Sequence, residues 1–199
     1  MMSIALTLAG SFWIDRLYKS SADSLTFPNE IQSRSRFRKP LLLICISFCI
    51  VNLINMPTPQ MIYSIIAAYL LVLIMVTDFE QYVIFNKMLI PFALIGAVYI
   101  FHLNLPILNH LAAALLGGVI FLILALITKG GIGGGDIKLV AVLGLWFGID
   151  DLLFIVVAAS IMAGVAALIM IIFTKKSRRD YLAYGPYFSI SAIYCLLFQ

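Results

Sequence analysis

The chain has 199 residues, 63% of them hydrophobic and only 11% charged, with a formal net charge of +4. A soluble domain carries roughly 25% charged residues, so this composition excludes an ordinary water-soluble enzyme and makes lipid the natural solvent. Apolar stretches take up nearly the whole length and leave no room for a second, soluble domain, so residues 1–199 read as one membrane-embedded domain.

Eight apolar stretches follow one another, at about 2–18, 41–56, 59–77, 82–101, 107–128, 137–149, 151–173 and 181–198. A crossing helix needs roughly 20 residues, with a range of about 17–25. The pattern predicts an all-α polytopic membrane protein with about eight transmembrane helices. In the first stretch the charges Asp15, Arg16 and Lys19 follow the apolar run, and no small-residue cleavage site comes after it. It is expected to be a retained signal-anchor helix. Residues 19–40 form a short basic loop without cysteine. Cys45, Cys49 and Cys195 lie inside apolar stretches and form no C-x-x-C pair, so they are expected to be small core hydrophobes. No metal or other cofactor is expected.

The sixth stretch is short. At 1.5 Å per residue it reaches only about 20 Å, against roughly 30 Å of hydrocarbon. The glycine-rich segment before it is therefore expected to dip into the membrane and line a water-accessible cavity, because bare backbone cannot face lipid.

Charge placement gives the sidedness. Lys and Arg occur at Arg16, Lys19, Arg34, Arg36, Arg38 and Lys39, at Lys87, at Lys129 and Lys138, and at Lys175, Lys176, Arg178 and Arg179. With eight crossings all four groups fall on one side. The other side carries Asp150, Asp151 and His102. The positive-inside rule makes the basic side cytoplasmic and puts both termini outside the cytoplasm. Basic loops of this kind are expected to meet anionic lipid headgroups.

Against this background two acids stand out. Asp136 follows Gly133-Gly134-Gly135 at the start of the sixth stretch, and Asp78 ends the third. Glycine runs do not hold a regular helix well, and an acid at membrane depth is costly and usually functional. The topology puts both carboxylates at one depth on the cytoplasmic boundary. Two carboxyls in a poorly solvated site share a proton, which is what hydrolysis by an activated water requires: one accepts a proton while the other donates. Helix polarity assigns the base to Asp136, at the positive start of a helix, and the acid to Asp78, at the negative end of another. Asp15, Asp23, Glu30 and Asp180 lie in or beside basic loops and are expected to be solvated.

Gly133-Gly134-Gly135-Asp136-Ile137-Lys138-Leu139 resembles the G-x-G-D-x-K-L signature of bacterial type IV prepilin peptidases, the GxGD class of intramembrane aspartyl proteases. Asp78 to Asn86 resembles the family's first aspartate motif, D-x-x-x-x-x-I-P-N, with Phe85 in place of the proline. Gly10-Ser11-Phe12 with Arg16-Leu17, and Tyr184-Gly185-Pro186-Tyr187, are similar to its end motifs.

The resemblance implies removal of a short basic leader from a prepilin or pseudopilin, just after a glycine at the cytoplasmic face of the bacterial inner membrane. It implies Asp78 and Asp136 as the catalytic pair, with Gly133, Gly135, Lys138, Glu80 and Asn86 in support. Lys138 would tune an acid or meet headgroups, and Asn86 would orient backbone. Glu80 would be solvated or would offer a local contact to the basic leader. Bifunctional members have two C-x-x-C pairs in the first loop, tied to N-methylation; that loop has none here, so peptidase activity without methyl transfer is expected. The alternatives are a catalytically impaired homologue acting in pilus or type II secretion assembly, and a bifunctional peptidase/N-methyltransferase. No nucleic-acid partner is expected. The sequence does not indicate oligomeric state.

Overall fold

A computed structural model of the chain describes residues 1–54, 56–129, 131–174 and 183–198. All regular structure among them is helical: α1 (Met2–Ser20), the single turn α2 (Ile31–Arg34), α3 (Arg38–Leu53), α4 (Thr58–Gln81), α5 (Asn86–His102), α6 (Ile107–Ile127), α7 (Gly134–Thr174) and α8 (Gly185–Phe198). The basic cluster Lys175 to Arg179, with Asp180, lies outside the described residues.

The helix α4 forms the centre. Leu71, Val72, Leu73 and Ile74 are all fully enclosed, so every side of this helix is covered at its middle turn. Its neighbours α3, α5 and α8 pack around it. By contrast α6 and α7 carry long exposed apolar faces, including Leu115, Val119 and Leu126 on α6 and Val157, Ile161 and Leu168 on α7. A water-soluble protein rarely exposes more than a few hundred Å² of contiguous apolar surface. Three helical segments, Thr58–Gln81, Ile107–Ile127 and Gly134–Ile172, are long and apolar enough to cross a bilayer. The chain is a membrane protein.

The predicted stretches 137–149 and 151–173 are the two helical legs of α7, separated by a break at Gly148, where φ is 75° and ψ −173°. Val140 of the first leg and Leu152 of the second both pack against Gly117 of α6. The Gly148 conformation is almost exclusive to glycine. A Cβ there would also come within 2.7 Å of Asn109 Nδ2. The start of α6 braces the bend. Ile149 N–H donates to Asn109 Oδ1 at 3.4 Å, and His110 Nδ1 bonds the Leu145 carbonyl at 2.9 Å. Backbone groups freed by a bend at membrane depth need such partners.

Contacts sort the helix ends into two sets. The Tyr63 hydroxyl meets His102 Nδ1 at 2.8 Å, which puts the start of α4 beside the end of α5, and Asn109 and His110 put the start of α6 beside the α7 bend. At the opposite end the last turn of α4 gathers the end of α1 and the starts of α3 and α8. Arg38 of α3 donates to Glu80 of α4 and Asp15 of α1, and Gly185 of α8 bonds Asp78 of α4. Lys87 of α5 reaches Ser20 of α1, and Lys138 of α7 reaches Asn86 of α5.

Candidate active site

The gathered end holds both singled-out aspartates. Asp78 sits in the last turn of α4, and its carbonyl accepts from Tyr82 N–H at 2.8 Å. Tyr82 then takes a left-handed conformation (φ 53°) and turns the chain out of the helix. Residues 83–85 run on to Asn86, where α5 begins. Asp136 lies in the first turn of α7, whose opening residues are Gly134 and Gly135. Gly133 accepts from Asp136 N–H at 3.1 Å and Ile137 N–H at 3.3 Å, and its own backbone hydrogen-bonds the Asp136 carboxylate. This is the reciprocal closure of a helix start, with the acid at its third position. The chain break expected before Asp136 therefore lies before Gly134, with residues 128–129 and 131–133 non-helical among the described residues, while Gly134 and Gly135 are helical. Gly135 is where α7 meets the Val83–Phe85 segment: a Cβ would stand 3.0 Å from Ile84 Cβ.

Asp78, Tyr82, Val83, Ile84 and Gly133 to Asp136 enclose a cleft of about 210 Å³. Both aspartates line it. Both are nearly buried, at 5% and 8% exposure. They are held differently. Asp78 Oδ2 accepts from Gly185 N–H, the first residue of α8, at 2.9 Å. Asp136 Oδ1 is buried without a hydrogen-bond partner among the described residues. A buried carboxylate oxygen in that state is costly unless something fills the cleft beside it.

Gly185 is a site residue that the sequence reading did not place. A Cβ on it would lie 2.7 Å from Asp78 Oδ2 and 3.0 Å from its Cγ, so only glycine lets α8 come this close. The contact also alters the polarity argument. Asp78 meets the positive start of α8 as well as the negative end of its own helix. Both aspartates thus lie at a helix start, and helix polarity no longer assigns the acid and the base.

The supporting residues divide. Lys138 Nζ donates to Asn86 Oδ1 at 3.1 Å, joining the two aspartate motifs at the exposed rim. Phe85 has φ −78° and ψ 130°, close to what proline imposes, and packs against Tyr18, so its backbone keeps the shape a proline would give. Glu80 requires a correction. It is 3% exposed, so it is neither solvated nor open to a leader peptide. Its Oε2 accepts from Arg38 Nη2 at 2.6 Å and from the Tyr18 hydroxyl at 2.9 Å, and its Oε1 accepts from Arg38 Nε at 2.9 Å. Arg38, itself buried, also pairs with Asp15, which is therefore ion-paired as well as partly solvated.

Neighbouring contacts fasten the rest of the loop. Gln81 makes two bonds to the Phe27 backbone, and Arg34 donates to the Glu80 carbonyl while lying 3.7 Å over the Phe27 ring. Two of the loop's arginines, Arg34 and Arg38, thus spend their donors inside the protein.

A profile described as the type IV leader peptidase family matches residues 65–168, which include Asp78 and Asp136 and cover just over half of the chain. The chain belongs to this family. It is similar to the prepilin leader peptidase/N-methyltransferase of Bacillus subtilis (strain 168), at 33% identity over 141 residues, covering 68% of this chain and 55% of that one. It is also similar to the protein of the same name from Neisseria gonorrhoeae, at 36% identity over 63 residues, covering 32% and 21%. The chain spans about half the length of the Bacillus relative, and less of the other. No solved structure matches it.

Proposed function

We propose that this chain is an intramembrane aspartyl endopeptidase that removes the short basic leader of a prepilin or pseudopilin, cutting after a glycine at the cytoplasmic face of the bacterial inner membrane. The observation that carries this reading is that Asp78 and Asp136, from distant parts of the sequence, line one small cleft. A scissile peptide bond in that cleft would have a carboxylate on either side. One aspartate takes a proton from water as the oxygen attacks the carbonyl carbon. The other donates its proton to the carbonyl oxygen. As the C–N bond breaks, the first aspartate passes the proton it took from water to the leaving amine, and the second takes its proton back from the hydroxyl of the intermediate. The unpartnered Asp136 Oδ1 is free to bind the water, while Asp78 is held by α8.

The proposed setting is a single membrane-embedded domain of eight crossings, with the two legs of α7 counted separately. In that setting the gathered end, with Arg38, Lys87 and Lys138, faces the cytoplasm and both termini lie on the far side. The cysteine-free loop 19–40 supports peptidase activity without methyl transfer. The reading is tested by cleavage of a prepilin in membranes by the wild type and by Asp78→Asn and Asp136→Asn, with mass spectrometry of the product's new N-terminus. Unchanged processing in either variant would end the two-aspartate mechanism, and a methylated terminus would restore the bifunctional reading.

A further inference from the structure

Beside the aspartate cleft lies a second, larger cavity of about 610 Å³, a mostly apolar groove between α4 and α8 that Leu41 of α3 and Met170 of α7 also line. Met75, Phe79 and Tyr82 form one wall and Tyr187 and Ile190 the other, with Arg34 at the mouth. We infer that this groove is the binding site for the apolar helical segment of the substrate that follows the scissile bond. The inference rests on the endopeptidase reading above.

Three observations carry it. First, the groove and the cleft share Tyr82, which lines both. Two of the helices that wall the groove hold Asp78, α4 by carrying it and α8 through Gly185 N–H. A chain lying in the groove is thereby led to the carboxylates. Second, the groove has a direction. Met75, Phe79 and Tyr82 succeed one another on one face of α4, and the rise from Met75 to Tyr82 is about 10 Å, or two helical turns. Tyr187 and Ile190 descend on α8 in parallel. The groove therefore runs from the aspartate end into the apolar middle of the protein.

Third, its chemistry is graded. The charged groups lining it, Arg34 and the Arg38-paired Glu80, are at the aspartate end, with the Arg34 guanidinium against the Glu80 carbonyl and the Phe27 ring. The deeper walls are hydrocarbon and thioether. An unfolded peptide could not satisfy its backbone there, whereas a helix bonds its own. Helix-in-groove recognition uses anchors at this spacing. Phe79 and Ile190 are 66% and 46% exposed, so the groove is open on one side and a segment embedded in lipid can enter laterally.

The test uses the full chain in phospholipid vesicles and a synthetic peptide with a basic leader, a glycine, and an apolar helix. Filling the groove with Ile190→Trp or Met75→Trp is expected to raise KM about tenfold or more while kcat stays within about threefold. Leu115→Trp, on the exposed face of α6, is expected to leave cleavage unchanged. A benzophenone side chain at position 79 is expected to crosslink to the apolar part of the peptide, and excess unlabelled peptide should suppress the product. Wild-type KM in both filling variants, or crosslinks only to phospholipid or to a second copy of the chain, would overturn the inference while leaving the endopeptidase reading intact. Failure of that reading would look different: no cleavage by the wild type, or cleavage that survives Asp78→Asn.

Discussion

The helices α4 and α7 each carry one of the two aspartates, and they are built by opposite rules. Two thirds (67%) of the most apolar stretch of α4 is buried in protein, against 17% for α7. The last turn of α4 is a polar knot: Asp78 is tied to α8, Glu80 to α3 and α1, and Gln81 to the loop after α1. The first turn of α7 is light. It contains two glycines, a backbone-closed start, and a carboxylate oxygen without a partner among the described residues. The difference suggests a division of labour. The α4 aspartate is fixed by the packed core; in the proposed mechanism the α7 aspartate would be the side that adapts to water and substrate.

The sharpest way to break this contrast is to neutralise each acid. Asp78→Asn and Asp136→Asn should each lower prepilin cleavage about 10²–10⁴-fold, measured as product per minute in membranes. A large loss in only one of them would mean that the pair does not act together. Next comes the knot itself. Arg38→Met leaves the Glu80 carboxylate buried and uncompensated, and should destabilise the protein by about 3–5 kcal/mol in denaturant unfolding in micelles. The double variant Arg38→Met with Glu80→Leu should recover most of that, since an apolar replacement of a buried pair is often close to neutral.

Gly185→Ala should act on geometry more than on stability. Displacing Asp78 by a fraction of an ångström or more is expected to reduce kcat roughly 10–100-fold, and a normal rate would show that α8 does not hold the aspartate. Gly148→Ala probes α7 away from the chemistry. It should cost about 1–3 kcal/mol of unfolding free energy through backbone strain, with KM unchanged. The smallest effect is expected for Lys138→Met at the exposed rim, where loss of the bond to Asn86 should be worth about 1 kcal/mol or less and cleavage should fall only a few-fold.

Much of the site could be read from residue types. In a chain this apolar an acid is rare enough to be noticed, so Asp78 and Asp136 stood out, and the clustering of basic residues ordered the helix ends. Gly185 was visible as part of a motif, but its partner lies 107 residues away and no local pattern links them. Arg38 and Glu80 looked like ordinary boundary charges. Their burial depends on α1, α3 and α4 converging, and the only hint was that both lie within a few residues of apolar runs. The break between the sixth and seventh stretches was legible, because Gly148-Ile149-Asp150 reads as a turn and Gly148 is non-helical; its bracing by Asn109 and His110 of α6 was not, since no local pattern links those residues.

The sequence by itself determined the solvent and the helical class and singled out the two acids, because composition, periodicity and the cost of charge in lipid act through residue type alone. The tertiary structure decided what each acid touches. A hydrogen bond or a steric gap acts over about 3 Å, and only the packing of α8 and α7 against the end of α4 sets distances on that scale: it gave Asp78 a donor, left Asp136 Oδ1 without one, and turned Glu80 from a surface charge into a buried anchor.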